Sequence, residues 1–283
     1  MTKNNTWNFD TTFAVGDLLY ASSSSVLSKL AIGAENDVLT VSSGLPIWQE
    51  ANSNTIDTKI VFYYEDFIGG TPGAFGTNSA QNGVLGTASR VTLIADSGHP
   101  GDYSISTGTS SSGVALVSSG INLGANQFLF GGGSYDLIFY AKIPTLSTGT
   151  QRFKVQLGYL NADPATAGTI TNGAWFEYID NVNSGNWVIK TMKASTTSTG
   201  NSSTAADTNW HKFQISVNAG ATSVAFYIDD NQLANSPLTT NIPNATGNEV
   251  GIGFLITKSV GSTARTVEVD WYQHLIQLTS QRF

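Results

Sequence analysis

Two runs near the middle of this 283-residue chain decide its fold: residues 135–143, YDLIFYAKI, and residues 153–160, FKVQLGYL. Both are rich in β-branched and aromatic residues, and apolar and polar side chains alternate along the second run. An alternation with a period of two residues is typical of a strand that buries one of its faces. The two runs therefore predict β-strands.

Similar runs recur on both sides of this pair, from Ile60–Tyr64 to Thr266–Leu278, and turn signals such as Asn172-Gly173 separate them. About a dozen strands with frequent turns and almost no helical periodicity predict a large all-β antiparallel sandwich. Residues 69–87 are predicted to be an exposed irregular loop. Residues 194–206, ASTTSTGNSSTAA, are predicted to be an exposed low-complexity hairpin tip.

The composition excludes several kinds of function. The chain is 40% hydrophobic and only 12% charged, has a net charge of −7 and contains no cysteine. It has no cluster of Lys and Arg for nucleic-acid phosphates, no disulfide and no thiolate metal site. No run approaches the ~18 apolar residues of a membrane span. Residues 1–9 lack the apolar region of a secretion signal, so we expect synthesis in a cytoplasm and no membrane insertion.

The front of the chain has a different pattern. Residues 16–48 read GDLLYASSSSVLSKLAIGAENDVLTVSSGLPIW, which is four short apolar patches separated by turn residues. So short a segment has too little apolar surface to offset the cost of ordering its backbone. We expect it to fold against another copy or a host structure. Its predicted docking and oligomerisation residues are Leu18, Leu19, Tyr20, Leu30, Ile32, Leu39 and Trp48. Residues 49–57 are polar and nonperiodic, which predicts a linker, so we divide the chain into residues 1–57 and 58–283.

The order G-D-L-L-Y-A, L-x-x-L-A-I-G, V-L-T-V and G-L-P-x-W within residues 16–48 resembles the repeat of structural proteins of tailed bacterial viruses, particularly tail fibres. The resemblance implies a bacteriophage virion protein that docks to other virion proteins through residues 1–57. It also implies a homotrimer, the usual symmetry of such fibres.

The remainder carries a second resemblance. Y-x-E-D-F, H-P-G, S-T-G-T, W-F-E-Y, N-W-H-K-F, V-A-F-Y-I-D-D and V-E-V-D-W follow in this order within residues 58–283. This order is similar to that of the concanavalin-A-like lectin and glucanase jelly roll. The resemblance implies two curved antiparallel sheets, one with a concave face that often offers a sugar-binding groove. The fold hosts lectins, glycosidases and structural modules alike.

The sharpest candidate for catalysis is the pair Glu268 and Asp270. Alternate residues of a strand share a face, so the two carboxylates point the same way and Trp271 is expected to pack inward. Glucanases of this fold use an E-x-D-x-(x)-E strand whose first and last Glu do the chemistry. Gln273 stands at the position of the last Glu and cannot donate a proton as a general acid. We therefore predict no catalytic residue and no enzyme activity.

Sugar binding is expected to depend on aromatic rings and neutral hydrogen-bonding groups. The candidate glycan-binding residues are Trp175, Tyr178, Trp187, Tyr159 and Asn161. No cofactor and no metal ligand is predicted, because His99, His211 and His274 lack metal-binding spacing. Ca²⁺ at the turn carboxylates remains an open alternative, and these carboxylates are Asp163, Asp180, Asp229 and Asp230.

Together these observations predict a non-enzymatic structural protein of a bacteriophage virion, either a tail fibre or receptor-binding element or a head fibre or decoration. Its jelly roll would be exposed, and binding of host surface glycan is left open. Two alternatives are retained: a polysaccharide depolymerase of a phage tail, which would need a carboxylate pair that could include Glu177, and a stand-alone lectin module.

Overall fold

The computed structural model describes residues 12–24, 26–50, 59–66, 83–85, 87, 89–96, 98–119, 127–161 and 169–282. The chain divides into two compact units, Met1–Asp57 and Thr58–Phe283. Most of the predicted linker, most of the predicted loop at 69–87 and Asp163 lie outside the described residues. The docking role of the first unit stays a prediction.

The first unit contains two antiparallel hairpins. The first pairs β1 (Leu18–Ser23) with β2 (Val26–Leu30), and the second pairs β3 (Asp37–Ser42) with β4 (Leu45–Glu50). Each hairpin forms a two-stranded sheet of its own.

The two hairpins begin with the same turn, twenty residues apart in the sequence. The Asp17 carboxylate accepts a hydrogen bond of 2.8 Å from the Ala14 backbone N–H, and Asp37 accepts one of 2.7 Å from Ala34. The residue before each Asp has a positive φ. The hydrogen bond from Ala14 lowers the pKa of Asp17. The unit is thus built from two copies of one capped hairpin, a repeat that the sequence analysis did not recognise.

Many apolar side chains of this unit are exposed. Four of the seven predicted docking residues have 37–57% of their surface accessible, and these are Leu18, Leu19, Ile32 and Leu39. Tyr20, Leu30 and Trp48 are half-buried. Exposed large apolar side chains at this density are typical of surfaces that associate with another molecule.

The second unit is a sandwich of two antiparallel sheets. The eight-stranded sheet has the order β17-β16-β15-β10-β19-β8-β7, with β5 paired to β19. Its strands are β5 (Ile60–Glu65), β7 (Ser89–Asp96), β8 (His99–Ser106), β10 (Gly133–Lys142), β15 (His211–Val217), β16 (Val224–Ile228), β17 (Asn231–Gln232) and β19 (Thr266–Leu278).

The facing sheet has seven strands in the order β14-β13-β12-β11-β18-β9-β6. They are β6 (Gly83–Leu85), β9 (Val114–Ser119), β11 (Arg152–Leu160), β12 (Gly173–Ile179), β13 (Asn186–Lys193), β14 (Thr196–Ala205) and β18 (Gly251–Val260). The predicted all-β antiparallel sandwich is confirmed. In the described part of the chain, no helix has the length and apolar character needed to cross a membrane.

Residues 194–206 are not a hairpin tip, which corrects the prediction. Residues 196–205 form β14, an edge strand that pairs with β13 along its length. Its Ser and Thr side chains suit an edge position, because they are polar toward solvent while the β-branched Thr favours extended backbone. By contrast, the predicted turn at Asp229-Asp230 is confirmed. Both residues have φ near +50 to +65°, as a two-residue hairpin turn requires.

The core lies between the two sheets and is dominated by aromatic rings. Phe139 and Phe213 of the eight-stranded sheet stack with ring centroids 5.2 Å apart, and Phe176 of the other sheet meets Phe213 edge-on at 5.1 Å. A second apolar cluster lies on the outer side of the seven-stranded sheet, where Trp175 packs with Leu160 and Leu255. This sheet is therefore apolar on both faces around its central strands.

All buried members of both clusters lie between residues 103 and 276. We therefore expect residues 58–283 to fold without residues 1–57. Circular dichroism of the shortened protein should show one cooperative thermal transition with the β-rich spectrum retained. A shortened protein without such a transition would show that the two units fold as one.

Position 158 in β11 requires glycine, both for its backbone conformation and for the space around it. Its φ is +140°, and a Cβ there would lie 2.5 Å from Ile215 Cδ1 of the facing sheet and 2.7 Å from the Ala174 carbonyl. We predict that Gly158→Ala lowers the free energy of unfolding by about 1–3 kcal/mol, the range for overpacked cores. Gly149→Ala is the control, because its Cβ would meet nothing within 4 Å. Equal urea midpoints for the two variants would contradict this account.

Candidate functional site

The edge of β19 changes partner in the middle of the strand. Residues 266–269 pair with β8, whereas residues 272–277 pair with β5. On its other edge β19 pairs with β10, where Ala141 faces Val269 and Phe139 faces Tyr272. Asp270 and Trp271 therefore share the single partner Tyr140, which is a β-bulge. The bulge coincides with the change from β8 to β5.

The bulge determines which side chains of β19 face outward. Val269 and Tyr272 both belong to the core. Glu268 and Asp270 consequently lie on the outer face of the eight-stranded sheet, as the alternation predicts. Trp271 lies there too, against the outward-facing Tyr64 and Tyr140, which corrects the expectation that it packs inward. Strict alternation fails because the extra residue shifts the phase of the strand.

Glu268 is one half of a buried carboxyl pair. Asp102 of β8 is 3% exposed and Glu268 is 8% exposed, and the two carboxyls are close enough to share a hydrogen bond. Burial, together with the negative charge of Glu268, raises the pKa of Asp102 to about 8. The Lys142 ammonium lies 2.8 Å from Glu268 Oε2. At neutral pH the arrangement is thus a protonated Asp102 beside Glu268, which is paired with Lys142.

Asp270 is held from the other side. His99 Nδ1 lies 2.8 Å from Asp270 Oδ2, and the His99 ring stacks on Trp210 with centroids 4.4 Å apart. Lys142 Nζ lies 4.5 Å from the centre of the same Trp210 ring, within the range of a cation–π contact. The contacts of His99 with Asp270 and of Lys142 with Glu268 therefore meet at Trp210, just before β15. We call Asp102, Glu268, Asp270, Lys142, His99 and Trp210 the carboxyl cluster.

Several polar atoms of this cluster have no hydrogen-bond partner. Asp102 Oδ1, Asp270 Oδ1 and Trp210 Nε1 are buried and unpaired within the described part of the chain. A buried polar atom without a partner costs free energy, and in native proteins such atoms concentrate where a ligand, a proton or a special function is accommodated. Asp66 lies near the negative charge of the same cluster, because burial and the charge of Asp270 both raise the pKa of its carboxyl.

A row of aromatic rings runs beside the cluster across three strands. Trp271 lies between Tyr64 of β5, 5.8 Å away between centroids, and Tyr140 of β10, 5.1 Å away. Tyr64 is 48% exposed, and Phe62, two residues earlier on the same face, is 58% exposed. We call Tyr64, Trp271 and Tyr140 the aromatic strip. It is an outward-facing ring surface next to carboxylates, an arrangement suited to sugar rings and their hydroxyls.

The aromatic residues chosen from the sequence lie elsewhere. Tyr159, Tyr178 and Trp187 point into the intersheet core, and Trp175 lies in the second apolar cluster. All four are at most 3% exposed, so none offers a ring face to a glycan, and we correct their assignment. Asn161 is occupied in closing a loop, because its Oδ1 accepts the N–H groups of Thr171 and Asn172 at 2.9 Å.

Glu177 is separated from the carboxyl cluster by the whole sandwich. It lies on β12, facing outward from the seven-stranded sheet, with Lys190 Nζ 2.5 Å from its Oε1 and Gln156 Nε2 3.0 Å from its Oε2. The structure therefore does not bring Glu177 together with Glu268 or Asp270.

The turn carboxylates have protein partners. Asp180 pairs with Arg152, Asp230 with Lys212, and Asp229 with His211. Across the described ranges no group of three or more His, Asp or Glu residues has the geometry of a metal site. That the protein uses no cofactor stays a prediction from the sequence, with Ca²⁺ as its open alternative.

The remaining histidines serve the fold. His274 is 2% exposed and packs among aromatic rings of the core, where burial lowers its pKa to about 4. His211 joins two turns: although burial lowers its pKa, hydrogen bonds to Asp229 and Asp207 raise it above the ordinary value.

The architecture defines a jelly roll of the concanavalin-A-like class. The chain belongs to the SO2946-like family, because the model of the SO2946-like C-terminal domain matches residues 98–270. The protein of unknown function SO2946 from Shewanella oneidensis MR-1 is similar to it with a TM-score of 0.58 and 16% identity, over 79% of this chain and 89% of that one. The endo-1,3-beta-glucanase from Streptomyces sioyaensis is similar with a TM-score of 0.50 and 12% identity, over 76% and 95%. At such identities the likeness shows the fold alone. No curated protein matches the chain.

The carboxyl of Asp102 gives a direct test of this geometry. The unfolded chain ionises it near 3.8, whereas the folded chain keeps its proton until about pH 8. Stability is therefore lost as the pH rises between these values. Asp102→Asn, which mimics the protonated acid, should gain stability relative to the natural protein as the pH goes from 5 to 8. At about 1.4 kcal/mol per pH unit and about 2–4 °C per kcal/mol, we expect a relative gain in Tm of roughly 10 °C.

The matched control is Glu249→Gln. Hydrogen bonds from the backbone N–H groups of Gly247 and Glu249 lower the pKa of the Glu249 carboxyl, although burial raises it, so this variant should show no such gain. A Tm difference between Asp102→Asn and the natural protein that is the same at pH 5 and pH 8 would contradict the raised pKa.

Proposed function

We propose that this chain is a non-enzymatic, glycan-binding structural protein of a bacteriophage particle, and that its outward-facing aromatic strip contacts the glycan. The observation that carries the proposal is the row formed by Tyr64, Trp271 and Tyr140, which lies in contact range of the carboxylates of β19. Pyranose rings stack on aromatic faces, and carboxylates accept hydrogen bonds from sugar hydroxyls.

The charge of the surface limits the kind of glycan. With Asp102 protonated, the carboxylates of Asp66, Glu268 and Asp270 face one ammonium group, that of Lys142. An acidic glycan would be repelled by this excess of negative charge. We therefore propose a neutral or amino-sugar glycan as the ligand of the aromatic strip.

Two features favour binding over hydrolysis. Retaining glycosidases hold their two carboxyls about 5–5.5 Å apart on either side of the scissile bond, and inverting enzymes hold them farther apart. Asp102 and Glu268 instead lie within hydrogen-bonding range of each other, which leaves no room for a glycosidic bond between them. The position that matches the last Glu of the glucanase motif is Gln273, whose amide cannot act as a general acid.

The virion part of the proposal is supported by the first unit. Its sequence resembles phage fibre repeats, and its two hairpins expose apolar side chains such as Leu19, Ile32 and Leu39. Self-association into a trimer through these residues would bury that surface. It would also join three jelly rolls in one assembly, and such multivalency strengthens weak binding by orders of magnitude.

The decisive variant is Trp271→Ala. A neutral glycan found on an array should bind the natural protein with a Kd between about 1 mM and 1 μM. Loss of the central ring should weaken that binding at least about tenfold, equal to 1.4 kcal/mol, in isothermal titration. Tyr227→Ala on β16 is the matched control, because it removes a half-buried aromatic ring outside the strip.

Equal losses in Trp271→Ala and Tyr227→Ala would contradict the assignment of the strip. Release of reducing ends from the bound glycan, abolished in Glu268→Gln, would overturn the non-enzymatic part and favour a depolymerase. Glycan binding by a monomer, together with the absence of the protein from any virion, would favour a stand-alone lectin.

A further inference from the structure

A concavity lies among turns rather than on a sheet face, at the end of the sandwich opposite to the carboxyl cluster. It has a volume of about 350 Å³. Its buried apolar residues are Ala221 and Ile242, which are 2% and 4% exposed. Its polar lining is Lys193, Thr222, Thr239, Asn241 and Asn244. An apolar base with a polar rim is the usual make-up of a small-molecule site.

The walls are fixed by hydrogen bonds. The Asn218 side chain closes the turn that carries Thr222, because its Oδ1 accepts the Thr222 N–H at 2.8 Å. Asn241 Nδ2 donates to Ser198 Oγ at 2.8 Å, and Thr191 Oγ1 donates to the Thr240 carbonyl at 2.8 Å. These two bonds attach the segment of residues 239–242 to β14 and β13. A cavity with walls held in place loses little freedom when a ligand binds.

Two residues of the lining have left-handed backbone conformations, with φ of +48° at Ala221 and +53° at Asn241. Such conformations are unfavourable for Ala, and they persist where the surrounding structure imposes them, often at binding sites. The strained positions and the hydrogen-bonded walls occur at the same cavity.

Lys193 gives the cavity its charge. Its ammonium donates a hydrogen bond of 2.7 Å to Asn244 Oδ1, a neutral acceptor. Lys142, Lys190 and Lys212 each form an ion pair, whereas no carboxylate of the described residues lies within 4 Å of Lys193 Nζ. None of the lining residues carries a carboxylate either. In a chain of net charge −7, this is a positively charged pocket.

We propose that this pocket binds a sugar unit that bears a carboxylate, with Lys193 pairing with the carboxylate. The Thr and Asn side chains would form hydrogen bonds with its hydroxyls. This ligand is anionic, whereas the glycan proposed for the aromatic strip is neutral or an amino sugar, so the two proposals are separate and the failure of one leaves the other intact.

The test compares D-glucuronate with D-glucose, which differ only in the carboxylate, by saturation-transfer NMR titration of the full chain. Glucuronate should bind at least about tenfold more tightly than glucose. Lys193→Gln should abolish that preference, and Lys193→Arg should keep it. Lys212→Gln, which removes the same charge elsewhere, and Trp271→Ala should both behave as the natural protein.

Equal affinities for the two sugars in the natural protein would overturn the proposal, and so would the absence of glucuronate binding. A preference for glucuronate that survives in Lys193→Gln would also overturn it, because the charge would then come from another residue. Loss of the preference in Lys193→Gln and Lys212→Gln alike would reduce it to an effect of net charge and contradict a specific site.

Discussion

The bulge at Asp270 and Trp271 is the constraint on which the functional surface depends. It lies where the edge of β19 passes from β8 to β5, so three neighbouring strands meet the two bulged residues. One extra residue lets Val269 and Tyr272 both enter the core while Glu268, Asp270 and Trp271 all face outward. Without it, Trp271 would point inward, and the aromatic strip would lose its central ring.

The outer faces of the two sheets therefore differ in which side chains they expose. The outer side of the seven-stranded sheet buries a second apolar cluster beside the paired Glu177, so the described residues of its central strands offer no open aromatic surface. The eight-stranded sheet carries carboxylates and partly exposed rings outward. The positively charged pocket at Lys193 lies among turns. The negatively and the positively charged surface are thereby kept apart, and under the two proposals one domain would contact two chemically different groups of a heteropolysaccharide.

The fold could be predicted from the sequence because strand alternation is local, and runs such as residues 153–160 show it directly. The carboxyl cluster could only be predicted in part. Glu268 and Asp270 stand two residues apart, but Asp102 and His99 reach them through a pairing of strands more than 160 residues apart in the chain. The choice of Trp175 and its neighbours failed for a related reason. When a strand has apolar residues on both faces, its sequence does not show whether an aromatic ring on the outer face meets solvent or packs into a second apolar cluster.

The central claim is that a glycan lies on the strip formed by Tyr64, Trp271 and Tyr140. The most direct measurement is the set of intermolecular nuclear Overhauser effects between an array-selected neutral oligosaccharide and the aromatic protons of the protein. The account predicts cross-peaks from the sugar ring protons to Trp271 and to at least one of the two tyrosines. Cross-peaks confined to other aromatic residues, with the glycan bound, would contradict it.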